Sequence, residues 1–173
     1  MKEAPKTAKA VKAAERAAFA PDWHYQDPID WRDTDLDEDT LRAWFRTMLL
    51  SRQIDIRCQV LNRQGRAPFI LSGAGHEAAQ IGAAWPLKPK YDWIAPYYRD
   101  VVLNFRMGVT PLDVMLSVLA KPEDPASGGK QTPGHFSRSR LHLIPGRAPL
   151  GTQSLPGPGV RLGPKREDTG RCA

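Results

Sequence analysis

The chain has 173 residues, 41% of them apolar, and its 25 Lys and Arg against 19 Asp and Glu give a formal net charge of +6. That length suits one domain with a modest core. No stretch approaches the roughly 18 uninterrupted apolar residues of a membrane helix, which excludes a transmembrane protein. The two cysteines, Cys58 and Cys172, are far apart and lie in no metal-binding spacing, which argues against a disulfide scaffold or a zinc site and favours a reducing cytoplasm.

The basic residues are spread along the chain. The best candidate for a nucleic-acid-binding stripe, residues 138–147, carries three arginines, so we expect no nucleic-acid partner. Residues 1–21 are rich in Ala and Lys and lack the apolar centre of a secretory signal. They also contain acidic residues and no serine, unlike a mitochondrial transit peptide, and we expect a disordered basic tail.

Aromatic residues follow the tail. Trp23, Tyr25 and Trp31 lie among Asp and Pro, a pattern typical of an extended arm that holds the body of the protein, or a partner subunit, by its rings. From Leu41 onward, apolar residues recur every three or four positions and predict the strongest helix of the chain, which should end near Arg63. Its leading apolar positions are Leu41, Trp44, Phe45, Met48 and Leu49. Gly65 supplies a left-handed cap.

Shorter elements follow. Residues 76–84, HEAAQIGAA, predict a short helix stopped by two prolines, and residues 91–95, YDWIA, predict a short buried strand. Residues 97–100 lead into a helix that Gly108 closes.

A further helix begins with Thr110 as N-cap and Pro111 in its first turn. The residues expected on its apolar face are Leu112, Met115, Leu116 and Leu119. Residues 121–134 form a loop long enough to indicate function or disorder. Proline and glycine fill more than a third of residues 145–173, so we expect little regular structure at that end.

Tyr97, Tyr98 and Arg99 form the most informative cluster, because they lie where a strand gives way to a helix. Ligands collect at the carboxyl ends of strands in open α/β sheets, and the N–H groups of the following helix meet a phosphate there. An arginine and a phenol would add charge-assisted hydrogen bonds to a phosphate. The alternative is structural: the tyrosines pack half-buried, and Arg99 pairs with Asp100 or another acid.

Two histidines are weaker candidates. His135 lies in a glycine-flanked loop where it could meet a ligand, although a lone histidine is more often structural. His76 precedes Glu77, but two ligands do not make a metal site, and Glu77 more plausibly supports the first turn of its helix. The residues alone therefore indicate a soluble, helix-rich α/β domain with a candidate phosphate site.

Three segments carry a resemblance to a known family: residues 69–80, FILSGAGHEAAQ, residues 91–100, YDWIAPYYRD, and residues 129–135, GKQTPGH. In order and spacing they resemble the alpha subunit of the decarboxylating component of 2-oxoacid dehydrogenase complexes. The branched-chain type, 2-oxoisovalerate dehydrogenase, is the most similar. The resemblance covers about Pro28 to Gln153.

The resemblance implies roles for individual residues. Tyr98 and Arg99, with Tyr97 beside them, would hold the diphosphate of thiamine diphosphate, and Tyr98 would also face the substrate. Phe69 would line the pocket for the 2-oxoacid side chain. His135 would be the catalytic residue, in a loop facing the substrate and the reactive carbon of the cofactor, where a proton donor assists decarboxylation.

Residues near the end of the chain carry further implied contacts. Leu150 matches the residue that touches the aminopyrimidine ring, and Ala148 stands where the family has a serine, so a backbone contact alone could survive there. Pro149, through its carbonyl, matches a structural potassium site of the family, together with Thr152 and Gln153.

The chain also departs from the family. Residues 155–165, LPGPGVRLGPK, stand where the family has an Ala-rich apolar helix, and their three prolines exclude a helix of that kind. The family's magnesium ligands come later, beyond the end of this sequence, so no magnesium ligand is expected in this chain. We therefore expect an alpha subunit that is truncated or degenerate near its C-terminal end, and that is inactive by itself.

The resemblance implies a fold and a function. The fold would be the N-terminal, helix-rich part of an α/β thiamine-diphosphate-binding fold with an incomplete parallel sheet, spanning residues 22–144 between the tail and the irregular residues 145–173. The enzyme would oxidatively decarboxylate a branched-chain 2-oxoacid with thiamine diphosphate and magnesium. It would pass the acyl group to lipoamide, as a heterotetramer with a beta subunit on a lipoyl acyltransferase core in a bacterial cytoplasm. The alternative is a non-catalytic remnant or assembly module that binds no cofactor.

Overall fold

The computed structural model describes residues 30–146 and, beyond them, residues 149, 151, 158–160 and 162. The chain divides into two units, residues 1–37 and 38–173. Within residues 30–37, Asp30 caps a short 3-10 helix, Trp31–Asp33, by accepting a hydrogen bond from the backbone N–H of Arg32 at 3.0 Å. The predicted tail and the predicted arm up to residue 29 lie outside the described residues.

Helices make up the regular structure in the described part of the second unit. The long helix α1 packs against three short helices, α2, α3 and α4, and α2 packs against α3. Their bounds are α1 Glu38–Arg63, α2 Glu77–Ala84, α3 Val101–Met107 and α4 Pro111–Val118, followed by a 3-10 helix at Ser139–Leu141. None of the described helices is both long and apolar enough to cross a membrane.

The predicted helix boundaries are confirmed. Gly65 follows the end of α1 with a φ of +70°, and Gly108 ends α3 with a φ of +107°, both in the left-handed region that glycine adopts without a steric penalty. Thr110 and Asp113 form a capping box at the start of α4, with Pro111 in the first turn. Local capping chemistry therefore fixes where these helices begin and end.

The strand predicted at residues 91–95 is wrong. The segment contains turns and a single bridge residue, Ile94, which pairs in parallel with Leu143. Ile94 donates its N–H to the carbonyl of His142 at 3.1 Å and accepts from the N–H of Ile144 at 2.9 Å. Leu143 also bridges Arg138 in the antiparallel direction, so the partner segment turns away before a ladder can extend. The described residues form a helix-rich unit, and the expected parallel sheet is not seen in them.

The apolar face predicted for α4 is also wrong in part. Leu112 is 64% exposed, whereas Val114 and Val118 are buried in the core. Asp113, on the neighbouring position, accepts a hydrogen bond from Arg138 at 3.0 Å, which fixes the rotation of α4 so that Leu112 points outward. The buried apolar cluster is completed mainly by side chains from α1, from α3 and its connection to α4, and from the segments after α4: Cys58, Leu61, Met107, Val109, Phe136, Leu141 and Leu143.

The Pro- and Gly-rich end contains helical residues at 158–160 and 162. The expectation of irregular structure does not hold at these positions.

Candidate functional site

The Tyr97–Asp100 segment forms a closed turn in front of α3. The N–H of Tyr97 donates to the carboxylate of Asp100 at 2.8 Å, and the N–H of Asp100 donates to the carbonyl of Tyr97 at 3.0 Å. Because the carboxylate of Asp100 closes this turn, the backbone that presents Tyr98 and Arg99 is fixed on both sides.

Two glycines from distant segments pack against this turn. A Cβ on Gly73 would lie 2.7 Å from the carbonyl oxygen of Arg99, and a Cβ on Gly134 would lie 2.7 Å from the carbonyl oxygen of Tyr98. Both approaches are closer than any real Cβ makes, so only glycine fits at either position. The three segments quoted above for their resemblance therefore meet at Tyr98 and Arg99.

The side chain of Gln80, on α2, holds the same turn, a role that nothing in the local sequence indicates. Its side-chain amide donates to the carbonyl of Arg99 at 2.9 Å and accepts from the N–H of Val102 at 3.0 Å. The N–H of Val101 donates to the carbonyl of Arg99. The N–H groups of Val101 and Val102, the first two of α3, are thus already bonded to the turn and to Gln80, so these two groups are not available to a phosphate.

The side chains of Tyr98 and Arg99 contact one another. The Arg99 guanidinium carbon lies 4.8 Å from the centre of the Tyr98 ring, and Nη1 of Arg99 donates to the Tyr98 hydroxyl at 3.2 Å. No carboxylate in the described part of the chain forms an ion pair with Arg99. Asp100, the structural partner that the sequence suggested for Arg99, instead uses its carboxylate to accept from the N–H of Tyr97 and close the turn. The positive charge is therefore oriented by an aromatic ring and is available to an anion.

The ring of Tyr97 contacts that of Tyr98, with ring centres 3.8 Å apart and the two ring planes tilted by 37°. Its hydroxyl is buried and has no hydrogen-bond partner among the described residues. Burial, and next the neighbouring Tyr98, raise the pKa of Tyr97, so its hydroxyl is a proton donor at neutral pH.

His135 lies beside this pair, with its ring centre 5.9 Å from that of Tyr98. Nδ1 of His135 is 2.9 Å from the carbonyl oxygen of Thr132. A carbonyl oxygen can only accept, so Nδ1 carries a hydrogen, and in the neutral ring Nε2 is the atom with a free lone pair.

The loop before His135 is organised around Asp124, a second residue that the sequence analysis missed. Asp124 is 5% exposed, and its carboxylate accepts hydrogen bonds from the N–H groups of Ala126, Ser127 and Gly129 and from the hydroxyl of Ser127. The Ser127 hydroxyl in turn accepts from the N–H groups of Lys130 and Gln131. An Asp three to five residues before a run of Ser and Gly is the available signal, since such side chains commonly bond nearby backbone N–H groups.

Glu77 is a structural residue. Its two carboxylate oxygens accept from Nε of Arg52 at 2.7 Å and from the N–H of Gly75 at 2.8 Å. The hydrogen bond from Arg52, more than any other contact, lowers the pKa of Glu77. His76 makes no side-chain capping hydrogen bond. No group of three His, Cys, Asp or Glu side chains in the described ranges could hold a metal ion.

A small pocket of about 40 Å³ lies against Tyr98. Its walls are mostly apolar and include Cys58, Ile70 and Phe136, with Asp55 as a polar element. Burial, and next the charge of Asp55, raise the pKa of the Cys58 thiol to about 11, so this cysteine is protonated at neutral pH and is not a nucleophile.

Of the remaining predicted site residues, Phe69 and Pro149 are among those that the structure describes. Phe69 is 47% exposed, and its neighbours Ile70 and Leu71, not Phe69 itself, line the pocket against Tyr98. Pro149 is exposed. The other predicted contacts near the end of the chain are outside the described residues: Ala148, Leu150, Thr152 and Gln153.

Comparison with known proteins gives a consistent picture. A family model described as "Dehydrogenase E1 component" matches residues 45–173. The chain is 45% identical to the 2-oxoisovalerate dehydrogenase subunit alpha of Bacillus subtilis over 71% of its own length and 37% of that protein. It is 32% identical to the 3-methyl-2-oxobutanoate dehydrogenase subunit alpha of Mycobacterium tuberculosis, over 78% of the chain and 34% of that protein.

A shorter match is to the pyruvate dehydrogenase E1 component subunit alpha of Bacillus subtilis, 45% identical over 39% of the chain and 18% of that protein. The chain spans about a third of the length of the two branched-chain relatives. The matched family region contains α2, α3, α4 and the Tyr98–Arg99 turn. This chain therefore belongs to the dehydrogenase E1 component family.

Proposed function

We propose that this chain forms the diphosphate-binding part of the alpha subunit of a 2-oxoacid dehydrogenase that acts on branched-chain 2-oxoacids. The enzyme oxidatively decarboxylates its substrate with thiamine diphosphate and transfers the acyl group to lipoamide. One observation carries the proposal: the Tyr98–Arg99 turn, held between Gly73 and Gly134, presents an arginine with no carboxylate partner among the described residues.

The residues of the turn fit a diphosphate. A guanidinium forms charge-assisted hydrogen bonds to phosphate oxygens, and the cation–π contact with Tyr98 orients it in advance. The hydroxyl of Tyr98 adds a donor, and the protonated hydroxyl of Tyr97 is buried beside it without a partner in the described part of the chain. This donor set suits an anion and supplies no metal ligand. The magnesium that accompanies thiamine diphosphate would have to be held by residues other than those described.

Thiamine diphosphate, when bound, supplies the electron sink for decarboxylation. The contribution of this chain is to hold the diphosphate at Arg99 and to place a histidine near the reacting atoms. With Nδ1 bound to the carbonyl of Thr132, Nε2 of His135 is the atom that gives or takes a proton. Phe69, exposed on the segment that precedes Gly73, would lie against the 2-oxoacid side chain.

The branched-chain substrate is favoured because the Bacillus and Mycobacterium relatives, which match over most of this chain, carry names of branched-chain 2-oxoacid dehydrogenases. Their names also contain "subunit alpha", so the proposal includes a beta subunit and the lipoyl acyltransferase core as partners in the cytoplasm. The proposal also includes three contacts near the end of the chain. Leu150 would touch the aminopyrimidine ring, and the backbone of Ala148 would contact the cofactor. A potassium ion would be held by Pro149, Thr152 and Gln153.

Calorimetric titration tests the proposal. Pyrophosphate, thiamine and thiamine diphosphate with magnesium are titrated into the full chain, alone and with the beta subunit of the matched Bacillus enzyme. Replacing Arg99 by Ala should weaken pyrophosphate and thiamine diphosphate by about tenfold or more, the usual value of a charge-assisted contact, and leave thiamine unchanged.

Arg57→Ala, which removes an exposed arginine from α1, is the matched control and should change none of the three affinities. Equal losses for thiamine and pyrophosphate in Arg99→Ala would show that Arg99 is structural. No binding of any of the three ligands, with or without the beta subunit, would favour the assembly-module alternative.

A further inference from the structure

A tight turn between Arg138 and Leu143 is anchored on the core. The N–H of Arg138 donates to the carbonyl of Leu143 at 3.2 Å, and the N–H of Leu143 donates to the carbonyl of Arg138 at 3.1 Å. The 3-10 helix Ser139–Leu141 lies between these two residues. Leu141 and Leu143 are 6% and 2% exposed, so buried side chains hold the turn in place. The backbone of this turn is therefore fixed before any ligand binds.

An open groove of about 430 Å³ lies beside the turn. It is lined by residues 137–140 and by Pro125 and Ala126, which belong to the loop that the Asp124 carboxylate organises. Clefts that hold small molecules have volumes of about 300 Å³ and above. The groove shares no lining residue with the pocket against Tyr98. It is therefore a second candidate site, built from residues that the Tyr98–Arg99 turn does not use.

The guanidinium of Arg138 is oriented by Asp113. Nη1 of Arg138 donates to Oδ2 of Asp113 at 3.0 Å, and the side chain of Arg138 stays 36% exposed. The same carboxylate oxygen accepts from the N–H and from the hydroxyl of Thr110, both at 2.8 Å, and Asp113 itself does not line the groove. An arginine has more N–H donors than one carboxylate oxygen uses. Arg138 therefore lines the groove with a fixed guanidinium that keeps free donors.

Three further side chains of the groove have no partner in the described part of the chain. Arg140 is exposed and forms no ion pair or hydrogen bond with its guanidinium there. The hydroxyls of Ser137 and Ser139 likewise form no hydrogen bond to another described residue. No acidic residue is among the described residues that line the groove. The groove therefore combines an unpaired positive charge, a second guanidinium with free donors and two hydroxyls, and an anion would meet no carboxylate on its walls.

We propose that this groove binds a phosphate group, either free phosphate or the phosphate of a small molecule. A phosphate has more acceptor oxygens than a carboxylate, so it can accept from both guanidiniums and from a serine hydroxyl at once. The Asp113 contact and the anchored turn hold the donors in advance, which lowers the cost of binding.

A nucleic-acid strand fits the groove less well. Arg138 and Arg140 are the basic residues among the described residues that line it, whereas a chain of phosphates requires a longer run of positive charge. This inference does not depend on the cofactor proposed for the Tyr98–Arg99 turn, because the two sites use different residues.

Nuclear magnetic resonance of the full, isotope-labelled chain tests the groove. Inorganic phosphate is added at constant ionic strength, with sodium chloride as the balancing salt. The backbone amide signals of Ser139 and Arg140 should shift and saturate, with a dissociation constant of about 1 mM or lower, because two guanidiniums contact one ligand. Arg140→Ala should weaken phosphate binding by about tenfold or more, since it removes the unpaired charge of the groove. Arg66→Ala is the matched control: Arg66 is exposed and does not line the groove, so its replacement should leave phosphate binding unchanged.

Two further titrations separate the possible origins of the signal. In an Arg99→Ala background the shifts of Ser139 and Arg140 should persist, whether or not the Tyr98–Arg99 turn binds a diphosphate, so the two proposals can fail independently. Adenosine monophosphate, with adenosine as its control, distinguishes the sources of the phosphate: tighter binding than that of inorganic phosphate indicates a nucleotide, and equal binding indicates that the phosphate group alone is recognised. Circular dichroism checks that every variant keeps its helix content.

Three results would overturn the proposal: shifts that sodium chloride reproduces without saturation, an Arg140→Ala variant that binds phosphate as tightly as the unmodified protein, or acetate that binds as tightly as phosphate. The last result would show that a carboxylate is sufficient. Binding of a single-stranded oligonucleotide without binding of inorganic phosphate or adenosine monophosphate would also overturn it, because the recognised ligand would then be a nucleic acid.

Discussion

The carbonyl oxygen of Tyr98 lies 2.7 Å from the position that a Cβ on Gly134 would occupy. The backbone that presents the candidate diphosphate ligands therefore reaches its position only because residue 134 has no side chain. Gly73 makes the same kind of approach to the next carbonyl along the chain, that of Arg99, also at 2.7 Å. The site is shaped by backbone contacts between residues that are 26 and 36 positions apart in the sequence, before any ligand is considered.

Gly134→Ala should lower the free energy of unfolding by about 2–4 kcal/mol, because the new methyl group clashes with the Tyr98 carbonyl and residue 134 has a φ of +90°. Urea denaturation followed by circular dichroism measures the change. Gly65→Ala is the control for φ, since Gly65 has a φ of +70° and nothing within 4 Å of its Cβ position, and should cost only about 1 kcal/mol. Gly73→Ala isolates the effect of the clash from that of φ, because its new methyl group would meet the carbonyl oxygen of Arg99. Equal losses for Gly134→Ala and Gly65→Ala would contradict the close approach.

The ion pair between Arg52 and Glu77 should make stability depend on acidic pH. The pKa of Glu77 is lowered in the folded protein, so the stabilisation is complete above its ordinary value of 4.5 and is lost as the pH falls below that value through the folded pKa. Glu77→Gln should therefore reduce stability by about 1–3 kcal/mol at pH 7, as expected for a largely buried carboxylate that loses a charged partner. The difference from the unmodified protein should narrow in urea titrations near pH 3.

Glu38→Gln provides the comparison for that experiment. Glu38 pairs with Arg42 on the same helix, and both side chains are more than half exposed, so the loss should be no more than about 0.5 kcal/mol. A difference between Glu77→Gln and the unmodified protein that stays constant from pH 7 to pH 3 would show that the carboxylate charge is not the stabilising element.

Local signals in the sequence predict where the helices begin and end. The features that the sequence does not predict, such as the missing strand, depend on long-range contacts. Gly65, Gly108 and the Thr110 cap act within a few residues of the helix ends, so their effect can be read without the rest of the fold. The strand predicted around Ile94 needed a partner ladder, and the partner segment near Leu143 supplies only one bridge before it turns.

The candidate site also combines features that local sequence predicts with features that depend on long-range contacts. The residue types of Tyr98 and Arg99 and their place before a helix could be recognised in the sequence. The roles of Gln80 and Gly73 could not, because a glutamine on α2 becomes a clamp only when α2 packs against α3. Leu112 was misplaced on the buried face of α4 for a related reason, since the Asp113–Arg138 contact, which joins residues 25 apart, sets the rotation of that helix.

The Cys58 thiol should be nearly inert in the folded protein. Its pKa of about 11, against an ordinary value of 9.0, reduces the thiolate fraction at pH 8 by about 100-fold, and burial adds a steric barrier. In a Cys172→Ser background, which leaves Cys58 as the sole thiol, modification by a chromogenic disulfide reagent should be at least about 100-fold slower in buffer than in denaturant. Rapid modification of the native protein would contradict the burial of Cys58 on α1.

The loop before His135 should depend on the Asp124 carboxylate. Asp124→Asn places an amide group where two carboxylate oxygens now accept from the backbone of residues 126–129, so at least one N–H faces another donor. The expected loss is about 1–3 kcal/mol, concentrated in the loop. Hydrogen exchange at the amides of Ser127 and Gly129 should accelerate by about tenfold or more, while that of core amides such as Val102 changes little.

Glu123→Gln serves as the matched control for this substitution, because Glu123 is an exposed carboxylate next to Asp124, and its exchange pattern should equal that of the unmodified protein. The loop ends on the Thr132 carbonyl that accepts from Nδ1 of His135, so a loosened loop also releases the constraint on that ring. In Asp124→Asn, the nitrogen chemical shifts of His135 should move toward those of an imidazole ring that exchanges freely between its two tautomers. Unchanged His135 shifts together with faster exchange would show that the loop is held by Asp124 but that His135 is oriented without it.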